Sequence, residues 1–280
     1  MTATDVSRFT VFGHPISHSL SPEIQQAFAR QFGINLEYTT TDASPEAFPD
    51  AVTAFFSHGG RGANVTLPHK RRAWELASTH SDQARRVGTA NVLTARADGS
   101  LAAHNTDGDG FVRDLTERHG LDLRDQTVLL LGAGGAARGV AWNLLDAGIA
   151  SLTVVNRSPA AADQLVDDIG EPGQVHSRYW ADLDSIGSYD LIVNATSSGV
   201  LGQAMDLPFS LTTGRSQAYD LSYGAAATGF LAWARAAGCS HAWDGLGMLI
   251  ETAADAFELW HGQRPDTDPV YAELVKRYTA

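Results

Sequence analysis

The stretch GANVTLPHKRRAWEL, Gly62 to Leu76, places a lysine in an unusual setting. Ala63, Val65 and Leu67 form a short apolar strand. Pro68 has no amide hydrogen and ends it, and helical spacing follows up to Leu76. Lys70 therefore sits where a strand gives way to a helix. Facing a pocket, such a lysine can hold and return a proton; taken alone, it reads better as a solvated residue opening a helix. Three further stretches carry chemistry-bearing types. In GHPISHSLSP, Ser17, Ser19 and Ser21 follow an apolar strand at the mouth of a helix. Hydroxyls beside a helix N-terminus make a carboxylate site without added positive charge. Capping by Ser21 explains part of this pattern and leaves Ser19 unexplained. In HNTDGDG, Asn105 and Asp107 follow a hairpin and open a helix, where they also suit turn and cap positions.

The fourth stretch is LLLGAGGAARG, with Gly132, Gly134 and Ala137 in a G-x-G-x-x-A pattern. It follows an apolar strand and opens a helix, the context in which glycines let the backbone approach a pyrophosphate. An NAD site ends the next strand with Asp or Glu, to bind the ribose 2′-hydroxyl. That strand ends instead in VVNRS, with Asn156 and Arg157. A guanidinium suits the 2′-phosphate of NADP.

These residues need a scaffold, and the chain divides into two textures. The first third alternates strands (FTVFG, LEYTTTDA, RGANVTLP) with helices, and SPEIQQAFARQFG reads as a helix with Ser21 as N-cap, Pro22 at the first position and Gly33 at its end. NVLTARADGSLAAHN reads as a hairpin turning at Asp98-Gly99. From Gln126, fully apolar strands (TVLLL, SLTVV, YDLIVN, SQAYDL) alternate with helices, which predicts a parallel sheet covered on both faces. The last segments, GLGMLIETAADAFELWHG and DPVYAELVKRY, read as helices.

Composition bounds the function. The chain has 280 residues, 44% hydrophobic, enough for two cores. A net charge of −12 argues against nucleic acid and anionic membranes as partners. The single cysteine, Cys239, permits no intrachain disulfide and fits a reducing compartment. The N-terminus does not read as a signal peptide and no stretch reaches the length of a membrane span. A cytoplasmic protein is expected, as a monomer or homodimer. His14, His18, His69 and His104 match no zinc spacing and are read as polar lining or surface, so no metal is expected.

The motifs VFGHPISHSLSP, GANVTLPHK, ANVL, HNTDG, GAGGAARG, NRS, NATSSG, DLSY and GLGML, in this order and spacing, resemble the shikimate dehydrogenase family over almost the whole chain. The resemblance implies an α/β fold of two domains, an α/β substrate domain and a Rossmann dinucleotide-binding domain. Residues 1–106, completed by helices in 243–280, form the first domain; residues 107–242 form the second, and the active site lies in the cleft. It implies reversible hydride transfer between NADP(H) and shikimate, whose oxidised partner is 3-dehydroshikimate. Lys70 and Asp107 are then the catalytic pair, Lys70 as general acid/base and Asp107 orienting it. Ser19 and Ser21 hold the substrate carboxylate, Thr66 and Asn91 its ring hydroxyls, and Tyr223 lies near substrate. The cofactor is met by Gly132, Ala133, Gly134, Gly135, Ala136 and Ala137, by Asn156, Arg157 and Ser158, and by Thr196, Leu221, Gly245 and Met248.

Four positions depart from the family pattern. Glu251 is read as replacing a glutamine that faces the substrate ring. It is either protonated with substrate bound, turned away onto a basic group, or matched to an amine, as in an aminoshikimate. His69 replaces a common aromatic residue before the lysine. Ala161 stands where a second basic residue is expected, which predicts a weaker NADP preference. ATGF replaces a TPF-like turn near Thr228. The alternatives are a quinate/shikimate or aminoshikimate dehydrogenase with relaxed cofactor use and, outside enzymes, an NADP-binding sensor.

Overall fold

The structure is a computed structural model describing residues 6–279. The chain forms two compact units: Met1–Asp107 together with Ile250–Ala280, and Gly108–Leu249.

In the first unit the strands are β1 (Ser7–Gly13), β2 (Leu36–Asp42), β3 (Gly60–Val65), β4 (Thr79–His80), β5 (Val92–Ala95) and β6 (Leu101–His104). They lie in the order β2-β1-β3-β5-β6-β4. β1 pairs in parallel with β2 and β3, whereas β5 runs antiparallel to both β3 and β6. The β5–β6 hairpin turns at Asp98-Gly99 as the sequence predicts, and the Asp98 carboxylate accepts the amide and hydroxyl of Ser100. The helices here are α1 (Ser21–Phe32), α2 (Phe48–Ser57), α3 (Lys70–Leu76) and α4 (Asp82–Val87). The chain leaves this unit through α5 (Asp107–Arg113), which runs on into a π-helical turn, Asp114–Arg118.

The second unit holds β7 (Thr127–Leu131), α6 (Gly135–Asp146), β8 (Ser151–Asn156), α7 (Pro159–Ile169), β9 (Val175–Tyr179), β10 (Leu191–Asn194), β11 (Gln217–Asp220), α8 (Thr228–Ala236) and β12 (His241–Trp243). Its six strands are all parallel, in the order β12-β11-β10-β7-β8-β9. This is the doubly wound dinucleotide-binding order. The continuous apolar strands serve two layers. Val128, Leu130, Leu152 and Val154 enter one core, while their alternating neighbours Leu129, Leu131 and Val155 enter the other. Period-2 alternation on a sheet covered on both faces dictates this division.

α9 (Leu246–His261) carries the chain back, and α10 (Asp268–Thr279) ends it. The first turn of α9, expected with the first domain, belongs to the second unit, because Met248 packs in that unit's core. Beyond Leu249 the helix joins the first unit. There Phe257 packs against Phe28, and the Ala253 carbonyl accepts from Gln25 Nε2 at 2.9 Å. Among the described residues no helix is long and apolar enough to cross a membrane.

A buried carboxylate organises the π-helical turn. Asp114 is fully buried and accepts from Tyr219 Oη at 2.6 Å and Arg118 Nε at 3.0 Å. Gly247, at the start of α9, packs directly against it: a Cβ there would lie 1.9 Å from Asp114 Oδ1. Gly247→Ala should therefore destabilise the protein by about 1–3 kcal/mol, the usual cost of overpacking a core. Urea unfolding checks this, and unchanged stability would show that the carboxylate can move aside.

Candidate functional site

Lys70 opens α3 and Asp107 opens α5, so each is fixed by the start of a helix. Their side chains meet: Lys70 Nζ donates to Asp107 Oδ2 at 2.7 Å, the lysine side chain being 15% and the aspartate side chain 6% exposed. Asn91, buried at the start of the β5 hairpin, donates from Nδ2 to Asp107 Oδ1 at 2.8 Å and to Thr106 Oγ1 at 3.0 Å. Its Oδ1 accepts the Thr106 amide at 2.9 Å. Both amide protons of Asn91 are thus spent, and only a lone pair on Oδ1 remains for a ligand hydroxyl. Asn105 accepts the Asp107 amide and donates to Thr89. Thr106 Oγ1 donates to the Thr252 carbonyl of α9. The Lys70 ammonium has three protons, of which Asp107 takes one; the rest remain for a ligand oxygen.

The serines are arranged differently from the expectation. Ser21 is not the N-cap of α1: Leu20 holds that position without a side-chain bond, and Ser21 is the first helical residue, 7% exposed. The cap-like bond comes from Ser19, whose Oγ accepts the Ser21 amide at 3.2 Å. Ser19 is in turn held by its own amide on the Ile16 carbonyl. Thr66 lies just past β3, its amide on the Phe12 carbonyl and its carbonyl accepting from His69.

Two histidines also differ. His69 is neither lining nor surface. It is 2% exposed, stacks on Phe48 with ring centroids 4.2 Å apart, and bonds the Ala43 carbonyl through Nε2 at 2.8 Å. Burial lowers its pKa, keeping the ring neutral. It fills the aromatic position by stacking like one. His14 has a carboxylate partner that the sequence did not reveal: Nδ1 lies 2.6 Å from Asp42 Oδ1, and the other Asp42 oxygen accepts the Ile16 amide. Among the described residues no three His, Cys, Asp or Glu side chains cluster as metal ligands.

Glu251 is held by a cation and a hydroxyl of the C-terminal segment. It is 3% exposed; Oε2 accepts from Arg264 Nη2 at 2.6 Å and Oε1 from Thr267 Oγ1 at 2.6 Å. Arg264 also pairs with Asp255. Glu251 thus ties α9 to the loop before α10 and pairs with a basic group there. It is the adjacent residue, Thr252, that reaches the cluster, through its carbonyl. One step along a helix turns the side chain by about 100°, so neighbours in sequence face different surroundings.

In the second unit the glycine turn joins β7 to α6. Gly132 has φ +113°, and a Cβ there would lie 2.9 Å from the Ala195 carbonyl oxygen beside Thr196. Gly134 is the N-cap of α6 and brings no side-chain cap to the helix start, and a Cβ there would meet nothing within 4 Å. Gly135 and Ala136 form the first helical positions, while Ala133 and Ala137 pack into the core. Nearby cationic charge is divided. Arg138 is paired with Asp168 at 2.5 Å, whereas Arg157, past the end of β8, is exposed and donates to the neutral Gln203 amide oxygen at 3.3 Å. Asn156 donates to the Ser158 carbonyl, which opens α7. A helix start without a side-chain cap, behind a glycine turn and with an exposed guanidinium on the next strand, fits a phosphorylated dinucleotide.

The loop ends beside this turn are also fixed. Asn194 Oδ1 accepts the amide and hydroxyl of Thr196, and its Nδ2 donates to the buried Asp220 at 2.8 Å. Burial is the main cause raising the Asp220 pKa, to about 6. The Leu221 amide bonds the Asn194 carbonyl, and a Cβ at Gly245 would lie 2.3 Å from the Leu221 oxygen. Met248 is 7% exposed in the core. Tyr223 precedes a short 3₁₀ turn whose first amide, from Gly224, bonds Asp244.

Sequence reasoning missed Thr89 and Thr106, which bond Asn105 and Asn91, and Asn64, whose Nδ2 donates to the Asn91 carbonyl at 3.4 Å and whose Oδ1 accepts from Tyr38 at 2.6 Å. Asn64 lies inside the GANVT motif, whose polar residue within a strand was the available signal. Tyr38 carried no such signal.

The sequence matches three family models: shikimate dehydrogenase substrate binding domain over residues 11–93, shikimate / quinate 5-dehydrogenase over residues 114–201, and shikimate 5'-dehydrogenase C-terminal domain over residues 245–275. It is 57% identical over 275 residues to the shikimate dehydrogenase (NADP(+)) of Xylella fastidiosa (strain M12), covering 98% of this chain and 97% of that relative. The structure is similar to an Ael1 enzyme from Pseudomonas putida, with a TM-score of 0.87 at 40% identity over 96% of this chain and 98% of that one. It is also similar to shikimate 5-dehydrogenase from Thermus thermophilus in complex with NADP(H) and shikimate, with a TM-score of 0.82 at 33% identity over 98% of this chain and 100% of that one. The chain belongs to the shikimate dehydrogenase family.

Proposed function

We propose that this protein is an NADP-dependent shikimate dehydrogenase, an oxidoreductase that reversibly reduces 3-dehydroshikimate to shikimate in aromatic amino acid biosynthesis. The observation that carries the reading is the near-buried Lys70–Asp107 pair at 2.7 Å, with lysine protons to spare. An NADP-binding sensor has no need of it. Cytoplasmic location suits a chain whose one cysteine, Cys239, is a free thiol.

In this reading residues 1–106 with the C-terminal helices bind substrate and residues 107–242 bind cofactor. NADP is held by the amides at Gly132–Ala137, by Asn156, Arg157 and Ser158, and by the loop ends at Thr196, Leu221, Gly245 and Met248. When bound, it supplies or accepts the hydride. The chain's own residues handle the rest. Ser19 and Ser21 bind the carboxylate. Thr66 donates to or accepts from a ring hydroxyl, while Asn91 accepts one through its remaining lone pair. Tyr223 borders the substrate. Lys70 Nζ hydrogen-bonds the reacting oxygen, gives it a proton on reduction and takes it back on oxidation. Asp107 holds the ammonium in place and balances its charge. The direct assay is NADPH absorbance with shikimate and NADP. Sustained formation is expected, and its absence with folded protein would overturn the assignment.

Cofactor choice rests on Arg157, since Ala161 offers no second base. NADP should be preferred over NAD, and Arg157→Ala should erode that preference by about tenfold, the lower range for one charge-assisted contact. Specificity constants for both cofactors test this; equal values in the wild type would refute it.

We propose Glu251 as a brace between α9 and the loop before α10, its oxygens accepting from Arg264 and Thr267. Glu251→Gln should lower stability by about 1–3 kcal/mol, the scale of a charged hydrogen bond. It should leave the Michaelis constant for shikimate within about twofold, since no ground-state contact is lost. A large change in that constant at unchanged stability would return Glu251 to the substrate site.

A further inference from the structure

β1 and β2 pair in parallel, with Gly13 beside Asp42 at their ends. The loop that leaves β1 for α1 carries Ser19, and it passes the Asp42 side chain. Ile16 in that loop is 4% exposed and packs with Phe9, Val11 and Tyr38. Its amide, drawn in with it, needs an acceptor. Asp42 Oδ2 supplies one at 3.2 Å, while His14 Nδ1 lies 2.6 Å from the other oxygen, Oδ1. A carboxylate only accepts, so Nδ1 carries the proton and the imidazole holds the carboxylate through that second oxygen. The bonds then run on towards the helix. The Ile16 carbonyl accepts the Ser19 amide at 3.0 Å, and Ser19 Oγ accepts the amide of Ser21, the first residue of α1, at 3.2 Å. The His14 and Asp42 side chains are 48% and 49% exposed. An ion pair so exposed adds little stability, so the pair is poorly placed to act as a stabiliser.

We infer that Asp42 is a positioning residue for the substrate carboxylate: by accepting the Ile16 amide it sets the loop turn that presents the Ser19 hydroxyl to an anionic ligand. The inference rests on the reading of Ser19 as a carboxylate contact. The bond from the Ser21 amide uses a lone pair of Ser19 Oγ and leaves the hydroxyl proton to donate. Ligand binding therefore keeps every bond from Asp42 to α1 in place. An acid near an anion site works against binding by charge alone. Asp42 serves instead as a fixed acceptor, with His14 on its second oxygen. A loop fixed before the ligand arrives leaves less ordering for binding.

Steady-state kinetics with shikimate and NADP on Asp42→Ala, Asp42→Asn, Ser19→Ala and the Asp42→Ala/Ser19→Ala double variant test this. Asp42 is half exposed at the end of a strand, so truncation spares the core. Asp42→Ala should raise the Michaelis constant for shikimate by about three- to tenfold, the span of one hydrogen bond, with kcat nearly unchanged. The constant for NADP should not move, which also reports an intact fold. Asp42→Asn keeps an acceptor for the Ile16 amide, and its own amide group suits the other imidazole tautomer. It should therefore bring the shikimate constant back to within about twofold of the wild type. In the Ser19→Ala background, Asp42→Ala should cost less than it does alone, because the hydroxyl it positions is gone. If Ser19→Ala leaves the shikimate constant unchanged, the carboxylate reading of Ser19 falls and this inference with it. If Ser19→Ala raises the constant but Asp42→Ala does not, or the two effects multiply independently, the Asp42 inference alone is overturned. An Asp42→Asn penalty as large as that of Asp42→Ala would likewise overturn it, since the acceptor is kept and only the charge is lost.

Discussion

A carboxylate taken out of water must be met by donors, or it will not stay ionised. Asp107 is 4% exposed, and the first unit is arranged to meet that demand. The donors come from separate segments, Lys70 from the start of α3 and Asn91 from the entry to β5, while Asn105 accepts the Asp107 amide. Each depends on a local stop signal. Pro68 ends one extended segment before Lys70, and the hairpin delivers Asn91 and His104 opposite each other, joined by the Asn91 amide on the His104 carbonyl. Thr106 then connects the cluster to α9. Helix α9 is thus part of the site's support.

The second unit meets a different demand. A parallel sheet buries both faces, so its polar features are confined to strand ends. Gly132 clears the way past Ala195, Asn194 braces Thr196 and Asp220, and Gly245 lies against Leu221. Small residues allow these close approaches and side-chain amides fix the turns, and the start of α6 is left without a side-chain cap.

Much of this was legible in the residues. The glycine turn, the apolar strands, the hairpin at Asp98-Gly99 and the approach of Lys70 to Asp107 follow from local patterns that act over a few residues or from motifs in a known order. What was not legible depends on distant partners. Ser21 has the type of a cap, yet the chain enters α1 from Leu20, so the adjacent Ser19 takes that part. His69 looks polar until Phe48 covers it. Glu251 stands one position from Thr252, and its carboxylate finds Arg264 across a loop that periodicity does not describe. β4, β9 and β12 are strands whose short length or mixed composition lacks an alternation strong enough to read. The buried Asp114 of the π-helical turn takes a donor from Tyr219, over a hundred residues on, which no local pattern announces.

The central claim is that Asp107, by accepting from Asn91 and Lys70, places the lysine that moves the proton. Asp107→Asn tests it most directly, because the size is kept and an amide nitrogen replaces one of the two acceptors, turning a donor towards Asn91 or Lys70. Steady-state kinetics with shikimate and NADP, on protein shown to be folded by its thermal transition, should give a kcat lowered by about a hundredfold or more, the scale of general acid/base catalysis, with a far smaller change in the Michaelis constant for shikimate. A folded Asp107→Asn variant with turnover near that of the wild type would contradict the account.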